Sequence, residues 1–132
     1  MHVSEYRIYY EDTDMAGIVY YANYLKYLER ARSDLVREAG IDQLRMRAHG
    51  LVFAVARVEV TFRAPARFGE LVQVRTRLGR IGGATLALPQ QIRVGERSVV
   101  DALTRVICMT TEGRAARFPA EVRAALAAID AD

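Results

Sequence analysis

The hydrophobic period of this chain changes once, and the change limits the folds open to it. From about Tyr20 to Ala39 the side chains of Tyr24, Leu28, Ala31 and Leu35 recur at i, i+4, i+7 and i+11, with Leu25 and Val36 widening the stripe. That is the period of a buried helix face. From 51 to 111 the spacing falls to two: Val58, Val60 and Phe62 alternate with Arg57, Glu59, Thr61 and Arg63, and Val72 and Val74 oppose Gln73 and Arg75. A helix of about 19 residues is roughly 28 Å long, and four or five antiparallel strands can wrap it and bury its stripe. The class predicted is α+β, an antiparallel sheet of about five strands around one long central helix. Tyr20, Tyr21, Tyr24 and Tyr27 put aromatic groups on more than one helix face, as a helix covered on several sides requires.

Turn residues punctuate this pattern. Residues 3–11 read as a first strand, with Tyr6, Ile8 and Tyr10 on one face, followed by loop chemistry over Asp12–Gly17. Gly40 stops the long helix, and Asp42 caps a short one running to about Ala48. Pro65 ends one strand, Pro89 predicts an edge or bulge position, Gly82-Gly83 marks a turn, and Gly95-Glu96 suits a two-residue hairpin. Pro119 is placed at the first position of a C-terminal helix whose stripe is Val122, Leu126 and Ile129. With 132 residues and no linker or repeat, residues 1–132 are expected to form a single domain.

Composition closes off several functions. The longest uncharged apolar-rich run, Met15–Leu25, is far below the ~20 residues of a spanning helix. The first residues lack the apolar core of a secretory signal. The only cysteine, Cys108, excludes a disulfide framework and a cysteine zinc site within one chain, so the expected compartment is the cytoplasm. No metal and no cofactor is implied. Net charge is +3, but no run of like charge forms a basic arm for nucleic acid. The arginines concentrate between 51 and 118, which suits either a solvated face or a small anionic ligand such as a phosphate group.

The densest feature is Tyr10-Glu11-Asp12-Thr13-Asp14-Met15-Ala16-Gly17-Ile18-Val19-Tyr20-Tyr21-Ala22-Asn23-Tyr24, with acids two apart just before a helix start. One reading is structural, since Asp and Thr build turns and acids favour the positive end of a helix. A calcium loop fits poorly, because Ala16 and Asn23 stand where its fifth and twelfth positions need ligands. The third reading is a catalytic carboxylate facing a helix N-terminus, whose free N–H groups stabilise an oxyanion. Such a carboxylate attacks an activated carbonyl or deprotonates water, which is acyl-transfer chemistry without serine, cysteine or metal.

The run from Tyr9 to Tyr24, followed by Leu28-Glu29-Arg30-Ala31-Arg32, resembles the hotdog-fold acyl-CoA thioesterases of the 4-hydroxybenzoyl-CoA thioesterase and YbgC (Tol-Pal-associated) group, and the likeness extends to Val58–Phe62 and Ala64-Pro65-Ala66-Arg67. The resemblance implies an acyl-CoA substrate, Asp14 as the catalytic carboxylate, and the backbone N–H of Tyr21 aimed at the thioester carbonyl. It also implies a homodimer or homotetramer with sites at subunit interfaces. Gly17 is read as the residue that gives the backbone a tight path past Asp14. Many YbgC-like members carry His where this chain has Tyr21, so a His-dependent mechanism does not transfer. The aromatic-acyl branch has Tyr there and works through the N–H. That branch also places a basic cluster near the turn occupied here by Ile81-Gly82-Gly83-Ala84, which lacks it; Arg63, Arg67 and Arg80 are the substitute candidates for holding coenzyme A phosphates. Asn23 reads as a helix cap or a ligand contact, and Tyr24 and Tyr27 as core or substrate wall.

The rest of the chemistry-bearing residues have plainer readings. Cys108 is expected to be a buried small hydrophobe, His2 a frayed terminus, His49 a surface group or a remote acid–base group, and Glu29 with Arg32 an i, i+3 structural pair. Two rival functions are a hotdog dehydratase, which needs a His that the motif lacks, and a non-catalytic acyl-CoA or acyl-carrier binding module.

Overall fold

The computed structural model describes residues 1–129. Five strands, β1 (His2–Arg7), β2 (Leu51–Phe62), β3 (Leu71–Thr76), β4 (Thr85–Val94) and β5 (Arg97–Thr110), form one antiparallel sheet in the order β1-β3-β4-β5-β2. The long helix α1 (Tyr24–Glu38) packs against it, and α2 (Gln43–Ala48) and α3 (Ala120–Ala127) close one end. This is the hotdog arrangement: a sheet curled around one central helix.

The period shift explains the packing. Tyr24, Tyr27, Leu28 and Ala31 on the first half of α1 meet Val72, Val74, Ile92, Val99 and Val100 from the sheet. Leu35 and Val36 on its second half meet Leu86, Leu88, Val106 and Cys108, with Met46, Val122 and Leu126 from the short helices. Each fully buried aliphatic or aromatic side chain contributes ~1.5–3 kcal/mol, so the stripe holds the helix to the sheet. Between these two apolar clusters the inward positions Thr76, Gln90 and Thr104 are polar and buried.

Several boundaries differ from the sequence reading, each for a local reason. The first strand ends at Arg7, because the chain turns at Tyr10–Asp12 to bury Asp12; Tyr10 is therefore 82% exposed and not on a sheet face. Helix α1 proper begins at Tyr24, preceded by a single 3-10 turn over Tyr21–Asn23. Pro89 is neither at an edge nor at a bulge: it sits in the central strand β4 opposite Leu103. Regular β3 pairing stops at Thr76 opposite Gln90, one residue short of Pro89, whose carbonyl still accepts the N–H of Arg77. A proline there is tolerated because the ladder to β3 is already ending. Pro119 is the N-cap of α3, one residue before its first turn. His2 is a strand residue bonded to Glu38 and Ser4, not a frayed end. Gly40 (φ 85°) and the Asp42 cap, which accepts N–H bonds from Leu44 and Arg45, fall as expected, and Gly95 (φ 56°) makes the β4–β5 hairpin.

Strand β2 is the outer strand on one side. From Val55 to Phe62 it is exposed except at Val60, and it carries a bulge between Val55 and Arg57.

Candidate active site

The acid-rich loop divides its carboxylates between two jobs. Asp12 is buried, and its Oδ2 accepts the Tyr27 hydroxyl at 2.5 Å and the Tyr9 N–H at 3.1 Å. Its carbonyl accepts the Tyr20 N–H and the Asn23 side-chain amide, both at 3.0 Å. Asp12 is thus the knot that ties the loop to α1. The Asn23 side chain is used in that knot and makes no capping bond.

Asp14 faces the other way. Its N–H bonds the Ile18 carbonyl, its carbonyl accepts the Gly17 N–H, and its Oδ1 accepts the Ala16 N–H at 2.8 Å. This tight turn needs Gly17 at φ 77°, a left-handed conformation that costs glycine nothing. The carboxylate lies exposed and forms no ion pair among the described residues.

The turn is pinned from behind by a relay that begins at Tyr24. That ring is 4% exposed, and its hydroxyl accepts the Ala66 N–H at 3.0 Å. The Ala66 carbonyl accepts the Val19 N–H at 2.8 Å, and Ile18 bridges to Arg67. Tyr24 therefore holds the turn from the core and offers a ligand little surface. Burial pushes its phenol above the ordinary range, and the Asp14 charge pushes the same way.

Tyr21 opens the 3-10 turn that leads into α1. The N–H groups of Tyr20 and Asn23 are taken by Asp12 and Tyr20 carbonyls. The Tyr21 N–H, at a position where helices leave donors unsatisfied, has no such partner among the described residues. The Tyr21 ring is exposed and packs edge-on against Phe62 of β2, with centroids 5.9 Å apart.

The arginine candidates separate. Arg67 adjoins the Asp14 turn, its N–H bonded to Glu70 at 2.7 Å. Burial pushes the Glu70 carboxyl up, but the Arg97 hydrogen bond, the Arg67 N–H and the charges of both arginines outweigh it and hold the group below the usual carboxylate range. Arg63 pairs with Asp101 at 2.8 Å. Arg80 lies beside Ala87, near the α3 end of the sheet, away from the other two. His49 is exposed and caps α2, and Cys108 is fully buried with its thiol pushed up by burial. Among the described residues no three His, Cys, Asp or Glu side chains gather to hold a metal, and no helix is long and apolar enough to cross a membrane.

The expected Glu29–Arg32 pair does not form. Ser33 donates to Glu29 at 2.7 Å, and Arg32 turns inward to Gln90 at 3.1 Å and Thr104 at 3.4 Å. A polar residue in the inward register Leu86, Leu88, Gln90, Ile92 was the sequence signal for this contact.

The chain thus combines a hotdog sheet and helix with an exposed carboxylate turn beside a helix start. Residues 9–126 match the thioesterase-like superfamily. The chain is 34% identical over 104 residues to the acyl-CoA thioester hydrolase YbgC of Escherichia coli O6:H1, covering 78% of each chain. It is 32% identical over 121 residues to the acyl-CoA thioesterase YbgC of Haemophilus influenzae, covering 90% of this chain and 89% of that one. A crystal structure of a hypothetical protein from Thermus thermophilus superposes with a TM-score of 0.90 at 36% identity, over 98% and 99% of the two chains. The chain belongs to the thioesterase-like superfamily, and it is a thioester hydrolase.

Proposed function

We propose that this protein hydrolyses acyl-CoA thioesters in the cytoplasm, with Asp14 as the reacting carboxylate and the Tyr21 N–H as the donor to the thioester carbonyl oxygen. The observation that carries this reading is the exposed, unpaired Asp14 carboxylate, held in a glycine turn next to a helix start whose Tyr21 N–H is free. As the nucleophile adds to the carbonyl carbon, charge develops on the carbonyl oxygen, and it passes to sulfur when the C–S bond breaks. A fixed main-chain donor stabilises that charge without reorganising. Asp14 either takes a proton from the water that attacks the carbonyl carbon, or attacks that carbon itself, expelling the thiolate and forming an acyl–aspartyl anhydride that water then hydrolyses. The acyl group leaves as a free acid and coenzyme A as a thiol. Gly17 keeps the carboxylate at the surface of the turn. Arg67, beside that turn, is the leading candidate for a phosphate contact, with Arg63 next.

The working unit in this reading is a dimer or tetramer. The exposed outer strand β2, carrying Val55, Val58 and Phe62 at 51%, 38% and 49% exposure, is the edge that a second copy would cover. Phe62 touches Tyr21, so that edge lies beside the site.

The test is a hydrolysis screen over benzoyl-type, short aliphatic and long-chain CoA esters, following thiol release. Release from at least one class, abolished by Asp14→Asn, is the expected result. No release from any of them, with CoA esters still bound, would make the protein a binding module instead.

A further inference from the structure

Beneath α1 the sheet carries a polar belt that the hydrolytic site leaves unused. Gln90 and Thr104 are 4% and 0% exposed, and Gln90 donates to the Leu28 carbonyl and to Thr76. Arg32 joins this belt through one nitrogen, Nη1, which serves both Gln90 Oε1 and Thr104 Oγ1. Both partners are neutral. Guanidinium carries five N–H donors, and among the described residues no buried side-chain nitrogen lacks a partner, so the remaining Arg32 donors keep access to open space. That space includes a cavity of ≈ 210 Å³ between α1 and the sheet, bounded by Glu29, Arg32 and Ser33 on the helix side and by Phe53, Val55 and Leu88 on the sheet side.

The cavity is smaller than the ~300–1,000 Å³ of a complete small-molecule site, so it is sized for the end of a ligand. One wall is apolar. Its inner polar group is a half-buried cation, and burial presses that guanidinium's pKa down, the Glu29 charge opposing. The one nearby carboxylate, Glu29, is exposed and engaged by Ser33, so solvent screens it more than it screens the inward Arg32. Arg32 lies eleven residues beyond Tyr21, or roughly 16 Å along a helix. The guanidinium stands off its own Cα, so this rise sets the scale of the ligand, a chain of medium length with on the order of six to ten carbons.

We infer that this cavity receives the far end of the acyl group, and that Arg32 selects acyl chains of medium length ending in a carboxylate. The inference rests on the hydrolytic reading above and names its substrate class: ω-carboxyacyl thioesters. A carboxylate end completes the charge that Gln90 and Thr104 leave unmatched, and the methylenes run along Phe53 and Leu88. A methyl end would strip solvent from the guanidinium and return no bond to it.

The experiment compares two pairs of ligands of equal length. One pair is the eight-carbon ω-carboxyacyl-CoA and octanoyl-CoA, assayed by thiol release; the other is their non-hydrolysable thioether analogues, assayed by calorimetric titration of the full chain. The carboxyl-ended member is expected to win by about 10-fold or more in affinity and in kcat/KM. Arg32→Met should erase that preference, Arg32→Lys should keep part of it, and Glu29→Gln, at an exposed position, should increase it. Thermal unfolding accompanies each variant. If Arg32→Met does not fold, the Lys and Gln variants decide by the direction of their effect. Equal binding of both analogues by the wild type overturns the inference, as does a preference unchanged in a folded Arg32→Met or a Glu29→Gln that lowers it. Binding preference without thiol release would sink the hydrolytic reading and leave the cavity assignment standing. Turnover without preference would do the reverse.

Discussion

The Tyr27 hydroxyl, on a ring only 1% exposed, donates to Asp12 Oδ2 at 2.5 Å and joins the loop to the helix fifteen residues further on. Because Asp12 is spent inside, Asp14 is the one of the two aspartates that the loop presents to solvent.

Removing this bond should cost stability first. Tyr27→Phe is expected to lose about 1.5–3 kcal/mol, the range for hydrogen bonds to charged partners. Asp12→Ala should lose more, because it also orphans the Tyr9 N–H. Urea denaturation measures both. A double-mutant cycle showing no coupling between the two positions would contradict the assignment.

Asp14→Asn or Asp14→Ala should leave the unfolding midpoint nearly unchanged, since the side chain is exposed and makes one short-range bond. Turnover should fall about 10²–10⁴-fold. Retention of more than about a tenth of wild-type turnover would remove Asp14 from the reacting role.

Tyr21→Phe should be tolerated. The proposed donor is the main-chain N–H, and the ring keeps its edge contact with Phe62. A large loss of kcat at unchanged thermal stability would assign the work to the phenol.

Arg67→Ala should raise KM more than it lowers kcat, because uniform binding energy acts that way. The effect should appear with a full CoA ester and vanish with a pantetheine ester that lacks the nucleotide. Arg63→Ala should do less, as Arg63 is held by Asp101. Equal loss on both esters would mean that Arg67 does not read phosphate.

Alkaline stability gives a test outside the site. Burial, helped by the Asp34 hydrogen bond, pushes Tyr6 up to about 12, and Tyr27 is raised as well. A phenol whose pKa is higher when folded favours the folded state in its neutral form. That stability is fully present below the unfolded value of ~10 and is lost as pH rises toward 12. Tyr6→Phe should flatten the fall between these limits in pH-dependent denaturation.

The sequence made the helix, the strands and the Asp14 turn legible, because each rests on spacing or on a local turn rule. Gly95 and Asp42 act within a few residues of themselves. What it concealed is carried by long-range partners. Arg32 was paired by helix spacing with Glu29, whereas its bonds reach 58 and 72 residues along the chain to Gln90 and Thr104. Tyr10 continued the strand alternation and left the sheet because Asp12, two residues on, is drawn inward by Tyr27. Pro89 read as an edge residue because a sequence does not reveal where a neighbouring strand's ladder stops. Tyr24 combined both kinds of information: the helix period marks it as core, and only the fold reveals that its hydroxyl steadies Ala66.

The strand order also sets a schedule for biosynthesis. Among the described residues, strand β2 pairs only with β5, whose last residue lies 48 positions beyond the end of β2. With synthesis at ~5–20 residues per second, a nascent β2 waits roughly 2–10 s with both edges bare. During that interval it is an apolar strand able to pair with any other chain. The interleaved charges Arg57 and Glu59 within it, and Arg63 just after it, serve there as gatekeepers against aggregation. Replacing them with apolar residues would lower soluble yield on expression before it altered the finished enzyme.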